Sequence, residues 1–199
     1  MIAVITGDIV NSRSESAAHW LPVLKKILGH YGEAPQGWEI SRGDSFQLLL
    51  QPEEALYAAL QIKAGIKQLP DLDVRMAIGI GEQEYKAEKI SESNGSAFIR
   101  SGECFEELKK QNLGIRTGEA EKDEIFDLLF QLALLSMNNW SVTVAKTIAA
   151  FLEHPAKNQT ELAKHLKKSQ SSLSEALKRG GFDEIMQLES FYRSKIKRL

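Results

Sequence analysis

Two aspartates stand where paired carboxylates could do chemistry. Asp8 follows the first apolar run of the chain, Ile2 to Thr6, and Asp44 lies in the Arg42-Gly43-Asp44 turn between two later apolar runs. If those runs pair as neighbouring strands, both carboxylates meet above one sheet edge. Two hard oxygen anions at one place suit Mg²⁺ or Mn²⁺, with a bound phosphate completing the shell. Gly7 would let the backbone approach such a ligand closely. The same residues have a plainer reading, because Asp is common beside Gly in turns, where it hydrogen-bonds its own backbone. Residue types alone favour the plainer reading.

A second group lies near the C-terminus. Thr160 is placed to cap a short helix, Glu161 to Leu166, and Ser169 to cap another, Gln170 to Arg179, which stops at Gly180-Gly181. Leu162, Ala163 and Leu166 fall on one side of the first helix, and Leu173 and Leu177, four apart, on one side of the second. Two short helices joined by a tight turn, the second bearing Gln, Ser, Lys and Arg outward, have helix-turn-helix geometry. In that arrangement Gln170, Ser171, Ser172 and Glu175 approach base edges. Lys167, Lys168, Lys178 and Arg179 approach phosphates. The alternative is a packing or dimerisation unit of the same shape.

The elements needed to position both groups can be read from periodicity. Ile2 to Thr6 is a short β-branched strand. A helix carrying Trp20, Leu24 and Leu28 follows, capped by Ser14 or Ser16, with Pro22 near its start or splitting it. Trp38–Ser41 and Ser45–Leu50 form a hairpin around Arg42-Gly43-Asp44. Pro52 opens a helix through Ile62, Val74 to Gly81 alternates as a strand, Ser96 starts a helix and Leu113 to Thr117 ends the series. The plan is βαββαβ with one more helix and strand, which predicts an α+β, ferredoxin-like antiparallel sheet with helices on one face. Glu121 to Trp140 reads as a long helix whose Ile125, Phe126, Leu128, Leu129, Phe130, Leu132, Leu134 and Leu135 surround most of its circumference. Such a helix is expected to be buried, between the two domains or against a second subunit.

The domains expected are therefore 1–120, a connecting apolar helix 121–140, and an all-α helix-turn-helix unit 141–199. Charge follows this division. Residues 1–140 carry 14 Lys+Arg and 21 Asp+Glu, a balance of −7, whereas 141–199 carry 11 and 6, a balance of +5. The basic part is the one suited to phosphate, and DNA is its expected partner. Hydrophobic residues at 43% supply enough apolar material for a core. The single cysteine, Cys104, excludes an internal disulfide, no run reaches membrane-span length, and the N-terminus lacks a basic region and a cleavage pattern. A cytoplasmic protein with no membrane partner is expected. Cys104 reads as core, Lys109-Lys110 as a solvated helix end, and the four His residues have no metal-ligand spacing.

Four segments carry a wider resemblance: Thr6-Gly7-Asp8-Ile9-Val10-Asn11-Ser12, Ser41-Arg42-Gly43-Asp44-Ser45-Phe46, Arg75-Met76-Ala77-Ile78-Gly79-Ile80-Gly81 and Gly95-Ser96-Ala97-Phe98 with Ser101-Gly102. Together they resemble the SatD family of bacterial proteins over nearly the whole chain. The first three also resemble the catalytic domain of class III nucleotidyl cyclases. That likeness implies a nucleotidyl-cyclase-like fold, a divalent metal held by Asp8 and Asp44, and a nucleotide against Gly7, Ile9, Asn11, Ser12, Arg42 and Gly43. It departs where cyclisation needs an Asn and an Arg four apart, since Ile99 and Glu103 stand there. Arg100 is one position off, about 100° round the helix. Ile40 stands where the purine-selecting Lys would be. Cyclases build their site across a dimer, so a homodimer is implied, with Glu121 to Trp140 the candidate element.

Residues 160–177 resemble the helix-turn-helix of bacterial transcription regulators, except that Lys167-Lys168 replaces the usual Gly of the turn. The reading is a regulator whose cyclase-like part senses a metal-bound nucleotide or similar phosphate while the helix-turn-helix binds DNA. The alternative is a metal-dependent enzyme acting on a nucleotide, and the residues leave open whether any catalysis occurs.

Overall fold

The computed structural model describes every residue except 42, 198 and 199. Arg42, expected at the nucleotide, lies outside the described residues. The chain is a mixed α+β fold of five strands and, among the described residues, eight α-helices. In chain order these are β1 (Ile2–Val10), α1 (Ala17–Leu28), β2 (Trp38–Ser41), β3 (Ser45–Leu50), α2 (Ala55–Ile66), β4 (Asp73–Gly81), α3 (Ser96–Glu107) and β5 (Leu113–Arg116). Then come α4 (Ala120–Met137), α5 (Val142–Glu153), α6 (Gln159–His165), α7 (Gln170–Arg179) and α8 (Phe182–Ile196).

The sheet order is β2-β3-β1-β4-β5. β1 pairs antiparallel with both β3 and β4, and β5 runs parallel to β4. β1 is longer than its apolar run predicts. Asp8, Ile9 and Val10 stay in register with Arg75, Val74 and Asp73, so Asp8 lies within the strand and not beyond it.

Helices cover both faces of the sheet, not one. Residues of β4 alternate between large and small. Val74, Met76, Ile78 and Ile80 join Trp20, Leu24 and the alanines of α2 in the main core. Ala77, Gly79 and Gly81 face α3 instead. A Cβ on Gly79 would lie 2.2 Å from the Ala97 carbonyl oxygen and 2.3 Å from the Ser101 amide nitrogen, so the glycine is what lets α3 approach. From β1, Val4 packs on Ala97 and Phe98, and the hydroxyls of Thr6 and Ser101 meet at 3.0 Å.

Pro22 does not split α1, whose cap is Ser16. α4 buries only one side, Phe126, Phe130, Leu134 and Met137. Ile125, Leu128, Leu132 and Leu135 are exposed, so within one chain α4 is covered on one side only. The main core runs without a break from the sheet through Phe126, Trp140, Val144 and Ile148 to Leu177 and Tyr192. Side-chain hydrogen bonds cross the same ground: the Tyr192 hydroxyl donates to the Pro52 carbonyl at 2.7 Å, and Tyr57 and Gln61 both donate to that of Leu152. Core packing is therefore continuous across positions 120 and 140. α8 has no counterpart in the sequence reading. Among the described residues no helix is long and apolar enough to cross a membrane.

Candidate functional site

The strand ends of β1 and β4 and the β2–β3 turn enclose an open cleft of about 760 Å³. Asp8 and Asp44 both line it, with Ile9, Asn11, Ser12, Arg13, Arg75, Lys109 and Asn112. The antiparallel register that sets Asp8 opposite Arg75 puts both side chains on the α3 face of the sheet. Arg75 Nε donates to one Asp8 oxygen at 3.1 Å and Nη2 to the other at 2.6 Å, a bidentate clamp. The guanidinium also lies 4.8 Å from the centre of the Phe105 ring, and its bond to Asp8 raises its already high pKa. Asp44 accepts from the Ser12 hydroxyl at 2.6 Å. Asn11 takes a left-handed conformation, φ 61°, and its amide donates to the Asp71 carbonyl.

This arrangement bears on the ions and ligands expected there. Both oxygens of Asp8 already hold a cation, and among the described residues no set of three or more His, Cys, Asp or Glu gathers. The donor set fits Mg²⁺ or Mn²⁺ only after Arg75 leaves Asp8. Arg13, Arg75 and Lys109 outnumber the two carboxylates, so the cleft wall is slightly cationic. Gly7 does not line it. A Cβ there would lie 2.5 Å from the Phe46 ring, so this glycine makes room for a core aromatic on the opposite face. Gly43 is exposed in its turn at φ 91° and also lies outside the lining, and Ile9 has its side chain in the core. Arg100 is spent on the carbonyls of Ile80 and Thr117, and Ile99 is half exposed away from these bonds. Residue types alone did not assign Arg75 or Lys109 to the cleft. The available signal was a lone cation in an apolar strand, alternating with Val74 and Met76.

The second group of residues lies on α6 and α7. The cap of α6 is Asn158, not Thr160: its side chain accepts from the Glu161 amide at 3.0 Å while Glu161 accepts from the Asn158 amide at 2.9 Å. Ser169 caps α7, as its type and place suggested. Between them the chain turns at Lys167, which is left-handed at φ 52°. The Lys168 amide reaches back to the Ala163 carbonyl at 2.9 Å and the Lys167 amide to that of Lys164 at 3.2 Å, the usual closure around a glycine. Here a lysine occupies that place, at a cost of roughly 1 kcal/mol.

Leu173, Ala176 and Leu177 face inward from α7, and Leu162, Ala163 and Ala150 pack against Leu173. Gln170, Ser171, Ser172, Glu175, Lys178 and Arg179 are exposed on its outer side. Residues 157–180 hold six Lys+Arg and two Asp+Glu, so most of the C-terminal charge excess lies in this segment, three of its cations at Lys157 before α6 and at Lys167 and Lys168 in the turn. The ion pair recorded on this face, Arg179 with Glu175 at 3.8 Å, is exposed and weak.

A chain of polar contacts joins cleft and helices. Asn112 donates to Asp73 at 3.3 Å, and Asp73 accepts from the fully buried Lys63 at 2.8 Å. Lys63 also donates to Asn138, which caps α4, at 2.7 Å. Two residues to either side of Asn138, Ser136 and Trp140 both donate at 2.8 Å to the carbonyl of Gly180, which ends α7. Compared with models of protein families, with curated proteins and with solved structures, the chain matches none.

Proposed function

We propose that the chain is a DNA-binding regulator: α6 and α7 form a helix-turn-helix, α7 is its recognition helix, and the cleft takes a phosphate-bearing ligand such as a nucleotide. The observation that carries this is α7 itself. One side is fixed by Leu173 and Leu177, and the other presents Gln170, Ser171 and Ser172 at its start and Lys178 and Arg179 at its end. Helices that read the major groove contact bases from their first turns. The strain kept at Lys167 supports the same reading, because a glycine would be easier there and would lack the charge. The order β2-β3-β1-β4 supports a ferredoxin-like, cyclase-like arrangement for the sheet, and membership of the SatD family is part of this proposal.

If Lys167, Lys168, Lys178 and Arg179 each neutralise a phosphate, the log-log dependence of affinity on salt has a slope of about −3.6. Lys178→Ala with Arg179→Ala halves it to about −1.8, whereas Ser171 and Ser172 substitutions change the preferred sequence and leave the slope alone. An unchanged slope in the double variant refutes the assignment of α7.

A second reading, a metal-dependent enzyme acting on a nucleotide, draws on Asp8 and Asp44 sharing one cleft. It requires the Arg75 clamp to open. A thermal-shift screen of nucleotides with and without Mn²⁺ separates the two. Nucleotide stabilisation independent of Mn²⁺ and kept in Asp8→Asn supports the regulator. Stabilisation that needs Mn²⁺ and vanishes in Asp8→Asn supports the metal site. Cyclic nucleotide production is not expected, since Ile99 and Glu103 replace the pair that cyclisation uses.

A further inference from the structure

Helix α4 presents to solvent an apolar stripe that the fold leaves uncovered. Ile125, Leu128, Leu132 and Leu135 are 43%, 59%, 55% and 71% exposed, while Phe126, Phe130 and Met137 on the other side are buried. The spacing of the stripe is three, four, three, the spacing of a helix-to-helix seam. It is also palindromic. Placed antiparallel on a copy of itself, α4 sets Leu128 opposite Leu132 and Ile125 opposite Leu135. A self-complementary patch is what a two-fold interface requires.

Charge along the flank agrees with this register. The N-terminal half of α4 carries Glu121 and Glu124, both exposed. Beside its C-terminal half runs a groove lined by Lys109, Lys110, Gln131, Leu135 and Asn138, whose one carboxylate, Glu107, is paired with Arg116 at 2.7 Å. Glu124 and Gln131 lie on the same side of α4, seven residues apart, so a two-fold that reverses the helix brings Glu124 of one copy to Lys109 and Lys110 of the other. In a parallel pairing opposite flanks meet, so Glu124 would face the side of α4 that carries Leu129 and Ser136 and would not reach those lysines.

We infer that the chain associates with a second copy through an antiparallel α4–α4 contact, centred on Leu128 and Leu132 and edged by Glu124 against Lys109 and Lys110. The inference stands on α4 and does not depend on DNA binding. Because α4 ends on Gly180 through Ser136 and Trp140, the contact would carry two copies of α7 at a fixed separation.

The test is sedimentation of the full chain at tens of micromolar. The expected mass is twice the 22.2 kDa of the chain. Leu128→Glu with Leu132→Glu sediments as a monomer with an unchanged circular-dichroism spectrum, since both side chains are exposed. Glu124→Lys weakens the dimer, and adding Lys109→Glu and Lys110→Glu restores it. Cross-linking reads the direction: Ile125→Cys and Leu135→Cys proteins oxidise to a covalent dimer when mixed, and neither does so alone. A monomeric unaltered chain overturns the inference, and so does cross-linking of the Ile125→Cys protein with itself. DNA binding by a chain shown to be monomeric would overturn this contact and leave the function of α7 intact.

Discussion

Asp73→Asn should cost about 3 kcal/mol of stability, at the low end of what breaking a buried ion pair costs. The Lys63 side chain is fully buried, and its ammonium has Asp73 at 2.8 Å and Asn138 at 2.7 Å. Losing the carboxylate charge leaves a buried cation with neutral partners, one of them the new amide. Lys67, 3.4 Å from Asp73, adds a second positive charge to the same spot. For a chain of this size the loss lowers Tm by about 6–12 °C. Lys63→Met added to Asp73→Asn removes the stranded cation and should recover stability to within about 1 kcal/mol of the unaltered chain.

The pH dependence of Asp73→Asn has a definite sign. Burial holds Lys63 below its ordinary 10.5, with Asp73 opposing that shift. In the window between the lowered folded value and 10.5 the unfolded chain binds more protons, so stability rises with pH there and is lowest below it. Asp73→Asn lowers the folded value further and extends the window downward. Urea unfolding followed by circular dichroism at pH 7 and 9.5 should show the variant regaining stability at the higher pH, with the double variant insensitive. A cost below about 1 kcal/mol, or no recovery in the double variant, refutes the idea that this pair holds the end of α4 to β4.

Three further outcomes are expected. Gly79→Ala should cost about 3 kcal/mol, the top of the usual range for overpacking, because its new methyl meets the backbone of α3; urea denaturation measures this, and a cost below about 1 kcal/mol would contradict the close approach. Burial pushes the Cys104 thiol up to about 12, so at pH 8 about one molecule in 10⁴ carries the thiolate. Alkylation by iodoacetamide should then follow unfolding, and rapid labelling of native protein would contradict the buried placement. Lys167→Gly should stabilise the chain by up to about 1 kcal/mol while flattening the salt slope of DNA binding by about 0.9, and destabilisation would show that the left-handed turn is misassigned.

Local signals were legible in the sequence, and long-range ones were not. The hairpin strands Trp38–Ser41 and Ser45–Leu50 and the Ser169 cap depend on neighbouring residues, and all three hold. The Asp8–Arg75 clamp joins residues 67 apart and depends on the register of two strands, which residue types do not specify. α8 was missed because its buried side, Ile185, Glu189, Tyr192 and Ile196, has helical spacing but includes a carboxylate, held by Arg193 at 2.6 Å. For α4 the apolar residues were visible and their covering was not, since composition does not say which half of a helix meets the core.

The most direct test of the account is a fluorescence-anisotropy titration of random duplex DNA with the full chain at 50 mM salt, its fold checked by circular dichroism. With four phosphate contacts, lowering salt from 150 to 50 mM tightens binding about fiftyfold. Non-specific affinity should then reach the micromolar range or better. A saturable rise in anisotropy that added salt reverses is the predicted result. A flat titration of folded protein into the hundreds of micromolar would contradict the assignment of α6 and α7 as a DNA-binding element.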